Sequence, residues 1–441
     1  MRHFAVRGVS APRSARRGLA RAVCVLALAA GACDANTPGT GGDPQVAYLR
    51  DAASRRRALV DSLVNPANRY SQLRLARYAT GAADDWERLD AWNPLVAPVA
   101  ASALDAAPPL ALPADARALE LPDDATWDPS MSLVALGEEA FFRYPAQLAP
   151  TALAPLTRDD AQRYGLWLDG TRGVGGIVAV EVAGGTALAL SCASCHADVV
   201  GGRLVPGLPS AHLDLGSMIH DSAAIDDVTS SNLLAWGPGR NDVTTSDASL
   251  PERVSDLRPL RFLSHLQYDA TVRQLDVVSL AIRIETLLIT SHGQAIRPPR
   301  IVALAIAQYL WSLADGLPAA PVAETPGRAL FAARCSGCHA GDGLTSAPRP
   351  LAEVGTDPRL GLSLDRGTGL YRVPSLRGVG ERPTLFHDGT LPDLDALLDP
   401  QRLDAGYAGG ARGAGPVNGH AFGLDLSPSE RAALLDYVRS L

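Results

Sequence analysis

Two copies of a Cys-x-x-Cys-His motif constrain the fold more than any other feature of this 441-residue chain. The first copy, CASCH, occupies residues 192–196, and the second, CSGCH, occupies residues 335–339. The spacing suits covalent attachment of c-type haem, because two thiols three positions apart can each bond one vinyl group of the same porphyrin. The histidine after the second thiol then reaches the iron as proximal ligand. We therefore predict two covalently bound c-type haems, with the following attachment and ligand residues: Cys192, Cys195 and His196 at the first site, and Cys335, Cys338 and His339 at the second.

A zinc site is the main alternative use of four paired cysteines, since zinc is commonly held by thiolates at this spacing. Such a site would not require a histidine directly after both cysteine pairs. The two motifs also use every cysteine beyond residue 33. Haem attachment therefore explains more of the pattern than zinc binding does.

The first 32 residues have the pattern of an export signal. Six arginines and no acidic residue precede a short apolar run at residues 23–30, which is too short to span a bilayer. Small residues follow and end at Cys33, where a bacterial lipoprotein carries its lipid; cleavage without lipid is the alternative. We therefore predict a location in the periplasm or elsewhere outside the cytoplasmic membrane, with membrane contact only through a lipid anchor at Cys33.

The charge of the exported chain argues against nucleic acid as a partner. Removal of residues 1–32 takes away six arginines and no acidic residue, so the formal charge changes from −7 to −13. A nucleic-acid-binding surface needs a basic face instead. An acidic protein that exchanges electrons docks more readily on a partner with a basic face. The partners that we expect are a small redox protein or a quinol-linked electron donor.

The chain divides by composition into four segments, and a Pro/Ala-rich linker at residues 316–325 marks the clearest boundary. We expect a mainly α fold, with two cytochrome c-type domains, long haem-covering loops and an N-terminal helical extension that acts as a spacer and cover. The predicted segments are a signal peptide at 1–32, a tether and N-terminal extension at 33–125, a first cytochrome c domain at 126–320, and a second cytochrome c domain at 321–441.

Periodicity and end signals predict several elements within these segments. The predicted helices cover one or two stretches of residues 45–80 and residues 132–142, 275–289, 300–313 and 427–441. Ser427 and Glu430 form the pattern of a capping box at the start of the last helix. The β-branched run at residues 177–182 predicts a strand in a hairpin closed by Gly184 and Gly185. Residues 197–250 are predicted to be mainly loops.

Methionine, the usual alternative to histidine as sixth ligand, is almost missing. Only Met131 and Met218 lie beyond the signal segment, and neither follows the second motif. The second iron therefore takes no methionine from its own domain. The remaining ligands are His387, His420, a tyrosine such as Tyr371 or Tyr407, water, or a side chain from elsewhere in the chain.

Residues 130–441 resemble the bacterial dihaem cytochrome c peroxidase superfamily, which includes a cofactor-maturation dihaem enzyme and the dihaem rubber oxygenases. The resemblance rests on five stretches, of which the last two are the most specific: LGEEAFF at 136–142, SCASCH at 191–196, WGPGR at 236–240, YRVPSLR at 371–377 and FHDGTL at 386–391. The resemblance implies that the second haem receives electrons and the first haem reduces peroxide. It also implies a calcium ion between the domains, for which the sequence indicates no ligands.

The resemblance assigns roles to three further residues. His212, sixteen residues past His196, takes the place of a distal ligand that leaves on activation, and Trp236 takes the place of a tryptophan between the haems. At the second haem the family's methionine is missing. His420 corresponds to the late histidine that ligates this haem in the oxygenase branch, and we predict it as the distal ligand.

Each assignment has a structural alternative. His212 is otherwise a surface-loop histidine, with Met218 or His220 in its place, and Trp236 is otherwise a core residue. His387 serves to hydrogen-bond a turn or a haem propionate. Arg240 and Arg372 either pair with propionates or hold loops. Glu252 is a candidate acid/base near the first haem, because peroxide cleavage requires a group that moves a proton between oxygens.

The sequence therefore predicts a dihaem oxidoreductase of the peroxidase type. Electrons enter at the haem on His339, pass near Trp236, and reach hydrogen peroxide or another small oxidant at the haem on His196. The alternatives are an electron carrier with two six-coordinate irons and a dihaem oxygenase that acts on an organic substrate. A bis-histidine second haem would have a lower potential than the family's His/Met haem, which weakens the standard peroxidase interpretation.

Overall fold

Helices dominate the computed structural model, which describes residues 42–106, 110–148, 156–222, 227–242 and 249–441. The protein has 37% helix and 12% strand. The described α-helices are α1 (Pro44–Arg50), α2 (Ala52–Ser62), α3 (Arg69–Arg77), α4 (Ala103–Ala106), α5 (Val134–Arg143), α6 (Arg158–Arg163), α7 (Cys192–His196), α8 (Leu215–Ser222), α9 (Asp227–Leu234), α10 (Val277–Ser291), α11 (Arg300–Ser312), α12 (Pro326–Arg334), α13 (Leu351–Val354), α14 (Leu394–Leu398) and α15 (Pro428–Arg439). None of these helices is both long and apolar enough to cross a membrane. The predicted signal and Cys33 lie outside the described residues.

The strands are short and pair antiparallel wherever they are described. They are β1 (Val96–Pro98), β2 (Gln147–Leu148), β3 (Leu168–Asp169), β4 (Gly173–Val174), β5 (Ile177–Val182), β6 (Gly185–Leu190), β7 (Ala197–Val200), β8 (Arg203–Pro206), β9 (Arg240–Asn241), β10 (Glu252–Arg253), β11 (His265–Leu266), β12 (Val272–Arg273), β13 (Arg349–Pro350) and β14 (Leu370–Tyr371). Four of them form one sheet in the order β1-β5-β6-β2, and the others form two-stranded ladders.

The strongest local signals of the sequence correspond to elements of the structure. Helices α5, α10, α11 and α15 lie where they were predicted, and α1–α3 fill the predicted helical stretch of the N-terminal extension. Ser427 accepts from the backbone N–H of Glu430, and the Glu430 carboxylate accepts from the Ser427 N–H, which completes the predicted capping box. Strands β5 and β6 form the predicted hairpin, and both Gly184 and Gly185 have positive φ at its turn.

One strand was not predicted, and one prediction about an irregular segment is wrong. Residues 93–125 contribute β1 to the sheet, in register Val96 to Val180, because Val96 completes a small apolar cluster with Val178 and Val180. The prediction that residues 197–250 are mainly loops is wrong, because the described part of this stretch contains the hairpin β7–β8, whose turn is formed by Gly201 and Gly202 at positive φ, and helices α8 and α9. The protein is therefore helical with sheets, not simply mainly α.

One helix crossing occurs twice. In the first half (residues 126–320), α5 crosses α11 so closely that a Cβ on Gly137 would lie 2.0 Å from the Ala305 carbonyl oxygen. In the second half (residues 321–441), α12 crosses α15 and a Cβ on Gly327 would lie 2.0 Å from the Ala433 carbonyl oxygen. Only glycine permits this approach of two backbones without displacement.

The same aromatic pair accompanies each crossing. Phe141, one turn after the first glycine, lies with its ring centre 5.4 Å from that of Tyr309 at 56°. Phe331, one turn after the second glycine, lies 5.4 Å from Tyr437 at 57°. The two halves therefore share a packing unit of glycine, phenylalanine and tyrosine, although the tyrosine lies farther along the chain from the phenylalanine in the first half than in the second.

The N-terminal extension is fastened to the first half through a buried carboxylate. The hydroxyls of Tyr48 and Tyr78 both donate to Glu285 of α10, at 2.8 and 2.7 Å. Arg300 of α11 lies 3.5 Å from the same carboxylate and 2.6 Å from Glu87, which also pairs with an arginine of α2. The extension thus covers the first half, as predicted, and shares its charge network.

We predict that Gly137→Ala lowers the free energy of unfolding by about 1–3 kcal/mol, because the added methyl group must push α5 away from α11. Guanidinium unfolding followed by circular dichroism measures the change. Gly170→Ala is the matched control, since its Cβ would meet nothing within 4 Å. Alanine favours helix over glycine by nearly 1 kcal/mol, so a stabilised Gly137→Ala protein would contradict the close crossing.

Candidate haem sites

The second Cys-x-x-Cys-His motif continues directly from α12. The N–H of Cys335 donates to the Phe331 carbonyl at 2.8 Å, and the N–H of His339 donates to the Cys335 carbonyl at 2.9 Å. The motif is therefore held as an extension of the helix that crosses α15. It opens on a largely apolar cavity of about 270 Å³, whose walls include Cys335, Cys338, His339 and His420.

The His339 and His420 rings face one another across this cavity. Their ring centres are 6.4 Å apart. Two metal–nitrogen bonds of about 2 Å, plus roughly 1.2 Å from each ring centre to its nitrogen, place the ring centres of two imidazoles on opposite sides of one ion about 6.4 Å apart. His339 Nδ1 lies 3.1 Å from the Leu344 carbonyl oxygen, which leaves Nε2 available for a metal.

A strained loop holds His420 in this position. His420 has φ +46°, which is uncommon for a residue other than glycine. Its N–H donates to the Val354 carbonyl at 2.7 Å, and the fully buried Arg402 donates to the carbonyls of His420 and Gly419 at 2.9 and 2.8 Å. A backbone held in an unusual conformation by several contacts is typical of a functional position.

The chemistry of His420 fits a metal ligand. Burial, with the neighbouring His339 and Arg402 adding to it, lowers the pKa of His420 to about 4. The imidazole is therefore neutral at physiological pH, and neutral imidazole is the ligating form. Its Nδ1 is buried with no hydrogen-bond partner. His387, an alternative ligand, instead stacks on Tyr371 with ring centres 4.6 Å apart. The arrangement fits the predicted ligand, while ligation itself stays a prediction.

Two arginines, one buried and one half-buried, line the same cavity. Arg372 and Arg253 stand over the Tyr268 ring, 5.0 and 5.3 Å from its centre. The Nε of Arg372 and one terminal nitrogen of Arg253 are buried without a hydrogen-bond partner. Burial lowers the pKa of Arg372. Guanidinium nitrogens without a partner at an apolar cavity fit the propionates of a haem, the role predicted for Arg372.

The first motif lies on the short helix α7 between β6 and β7. His196 Nδ1 lies 3.0 Å from the Ser255 carbonyl oxygen, an arrangement like that of His339. Burial lowers the pKa of His196 to about 4, although the Ser255 carbonyl and the Asp256 carboxylate oppose this shift. Cys192 packs against the cluster around Phe141, and Cys195 packs against a second cluster that contains Trp236.

The distal side of the first site, opposite His196, differs from the distal side of the second, opposite His339. His212 is exposed. Met218, an alternative ligand, is fully buried in the cluster that Cys195 contacts. His220, the other alternative, pairs with Asp221 at 3.0 Å. Within the described residues no histidine ring lies opposite His196 as His420 lies opposite His339. The role of His212 as a removable ligand stays a prediction.

Trp236 and Arg240 connect the two halves. Trp236 is 4% exposed in the core cluster around Met218. The Arg240 guanidinium donates to the Trp236 carbonyl at 2.9 Å and to the carbonyls of Asp388 and Gly389 at 2.7 and 2.9 Å. These contacts correspond to the alternative in which Arg240 holds loops. Arg240 brings together two of the stretches that carry the resemblance, residues 236–240 and 386–391.

Glu252 lies in a buried ion pair between the halves. Its carboxylate is 2.6 Å from Arg366, and Arg366 is 3.6 Å from Asp269, which is fully buried. Burial raises the pKa of Glu252, and burial raises that of Asp269 to about 7, while Arg366 opposes both shifts. A buried ion pair in this position holds the two halves together. The predicted acid/base role of Glu252 is untested.

Sequence reasoning missed Arg366, Arg402 and Arg253. The chain has no lysine, so all 40 basic residues are arginine and an isolated arginine carries no signal of a special role. Among the described residues no group of three or more His, Cys, Asp or Glu could hold a metal ion. The calcium ion implied by the resemblance therefore has no ligand set of that kind there.

The comparison with known families supports the C-terminal site. Residues 324–441 match the family model of cytochrome c. No curated protein and no solved structure matches the chain. The matched segment begins just before α12 and ends with α15, so it contains the helix crossing, the second motif and His420. Residues 324–441 are therefore a cytochrome c domain, which implies covalently bound c-type haem and a role in electron transfer or other redox chemistry.

Proposed function

We propose that the protein is a dihaem c-type oxidoreductase of the peroxidase type. It takes electrons at the second site and delivers them to hydrogen peroxide at the first site. The reaction consumes one peroxide, two electrons and two protons and yields two waters. The bound haems would supply the redox chemistry, while the chain sets access, ligation and potential.

The repeated packing unit supports a haem at both motifs. Gly137, Phe141 and Tyr309 reproduce the arrangement of Gly327, Phe331 and Tyr437 in the cytochrome c domain. In the second half this unit holds the Cys-x-x-Cys-His motif directly. In the first half Cys192 packs against the cluster that contains Phe141 and Tyr309. This repetition supports the proposal of a second cytochrome c unit in the first half.

The observation that carries the catalytic proposal is the difference between the two sites. At the second site His420 stands opposite His339, which suits a six-coordinate iron that relays electrons. At the first site the resemblance points to His212, a loop histidine that is exposed, and no histidine of the described residues stands opposite His196 in the same way. A ligand on an exposed loop can leave and give a small oxidant access to the iron. One closed site and one accessible site are what a relay and a reaction centre require.

The contacts between the halves support electron transfer between the two sites. Trp236 is buried beside the first site, and its carbonyl is joined through Arg240 to the loop that carries His387. This is a short covalent and hydrogen-bonded connection between the halves. The electron donor would be a small redox protein or a quinol-linked donor. We place the protein in the periplasm or at the envelope, with Cys33 as a candidate lipid anchor.

Two other functions share these residues. An electron carrier would keep both irons six-coordinate, and Met218, fully buried near Cys195, offers a ligand that would not leave easily. A dihaem oxygenase would use the same accessible first site for oxygen and an organic substrate. The ligand environment of the first iron separates these functions.

We predict two haems per chain, each lost separately. Cys335→Ala/Cys338→Ala removes the haem of the cytochrome c domain, and Cys192→Ala/Cys195→Ala removes the other, because attachment requires both thiols. Haem-to-protein ratio and intact mass measure the loss. The matched control is Ser194→Ala, which lies inside the first motif without a thiol. A parent protein with one haem, or two haems in the Cys192→Ala/Cys195→Ala protein, would overturn the dihaem proposal.

We predict that His420→Ala changes the spectrum of the second haem, because its sixth ligand is lost. In the ferric state the EPR signal of a low-spin bis-histidine iron should be replaced by a high-spin signal in about one haem of two. His292→Ala is the control, since its ring binds the Pro145 carbonyl at 2.9 Å and is far along the chain from both motifs. A second-haem spectrum identical to that of the parent refutes the assignment of His420.

We predict peroxide turnover with a reduced cytochrome donor, and its loss in Cys192→Ala/Cys195→Ala. Stopped-flow spectra of the half-reduced protein with hydrogen peroxide should show a reaction at the first haem alone. Two spectra that stay unchanged with peroxide, and with carbon monoxide or cyanide after reduction, would leave the electron carrier. Stable oxygen binding at one iron would favour the oxygenase.

A further inference from the structure

A buried ion pair crosses between the two halves and lies between the two sites. Arg382 Nε of the second half is 3.1 Å from Asp256 Oδ2 of the first half, and the side chains are 4% and 3% exposed. The carboxylate also accepts from Arg258, at 3.0 Å from its Nε and 2.9 Å from its Nη2. Arg258 in turn pairs with Glu381, so two acids and two arginines balance one another.

The acidic end of the pair lies on the side of the first site. Asp256 follows Ser255, whose carbonyl oxygen is 3.0 Å from His196 Nδ1. The N–H of Leu257 donates to the Gly207 carbonyl, and the N–H of Gly207 donates to the His196 carbonyl, at 2.8 and 2.7 Å. The backbone on both sides of Asp256 is thus attached to the proximal histidine.

The basic end lies on the side of the second site. Arg382 is part of the wall of the cavity that contains His339 and His420. Its Nη2 donates to the Arg377 carbonyl at 2.9 Å, which fixes the guanidinium against this wall. Both charges are buried, so water and salt screen their fields only weakly.

We propose that Asp256 and Arg382 are positioning residues that separate the potentials of the two haems. This inference rests on the proposed dihaem function. An oxidised haem carries one more positive charge than a reduced haem, so a nearby carboxylate favours oxidation and a nearby guanidinium favours reduction. Asp256 lowers the potential at the first site, and Arg382 raises it at the second. In the half-reduced protein the single electron therefore rests at the second site, and the first site stays oxidised.

Potentiometric titration of each haem in Asp256→Asn tests the inference. Loss of the carboxylate raises both potentials, and the first more than the second, because the removed charge is nearer to the first site. Arg382→Gln lowers both, and the second more than the first. In each variant we expect the equilibrium constant for sharing one electron between the sites to fall at least tenfold, which is about 59 mV for a one-electron couple.

Two controls isolate the effect of the buried charge. Asp256→Glu keeps the charge and should leave the separation close to that of the parent. Asp395→Asn removes a carboxylate from an exposed pair with Arg439 and should change neither potential. Should Asp256→Asn not fold, Arg382→Gln decides by the same criterion. Two bound haems with an unchanged separation overturn this inference alone, whereas a single haem overturns it together with the proposed function.

Discussion

The close crossing of two helices over a glycine is the constraint on which the rest of the structure depends. In the cytochrome c domain, Gly327 brings α12 against α15, and the chain runs from α12 straight into Cys335. The crossing therefore sets where both thiols and His339 open on the cavity. In the first half, β2, α6 and the strands β3 to β6 lie between α5 and α7, so the motif follows a strand there instead of the crossing helix, while Gly137 keeps the same crossing.

The sequence predicted those parts of the fold that depend on short-range patterns. The capping box at Ser427, the glycine turn of the β5–β6 hairpin and the two haem motifs each extend over a few residues, and local chemistry determines them. The prediction of His420 as the distal ligand came from a resemblance, after the lack of methionine in the second half had reduced the number of candidate ligands. These patterns can be recognised without knowledge of the fold, because few other residue types could serve at the same positions.

The parts that could not be predicted depend on partners distant in sequence. Val96 pairs with Val180 across 84 positions, and residues 93–125 show no period that would indicate a strand. The ion pair of Glu252 could not be predicted either, because its partner Arg366 lies more than 100 residues away. A charged residue has the same local pattern whether it meets solvent, a substrate or a buried counter-charge, so only the folded structure separates these roles.

The potential of the second haem would depend both on its ligands and on the charges around the site. Two histidine ligands lower the potential of a haem relative to a histidine and a methionine, which works against an electron-entry role. Three arginines line the cavity, the buried Arg253 and Arg382 and the half-buried Arg372, and their positive charges raise the potential. Haem propionates would neutralise those that they contact. Arg382 is already bound to Asp256 and lies between the sites, so its field acts on the difference between the two potentials. Under the proposed function, that difference, more than either absolute value, would decide which iron holds an electron and which one meets peroxide in the oxidised state.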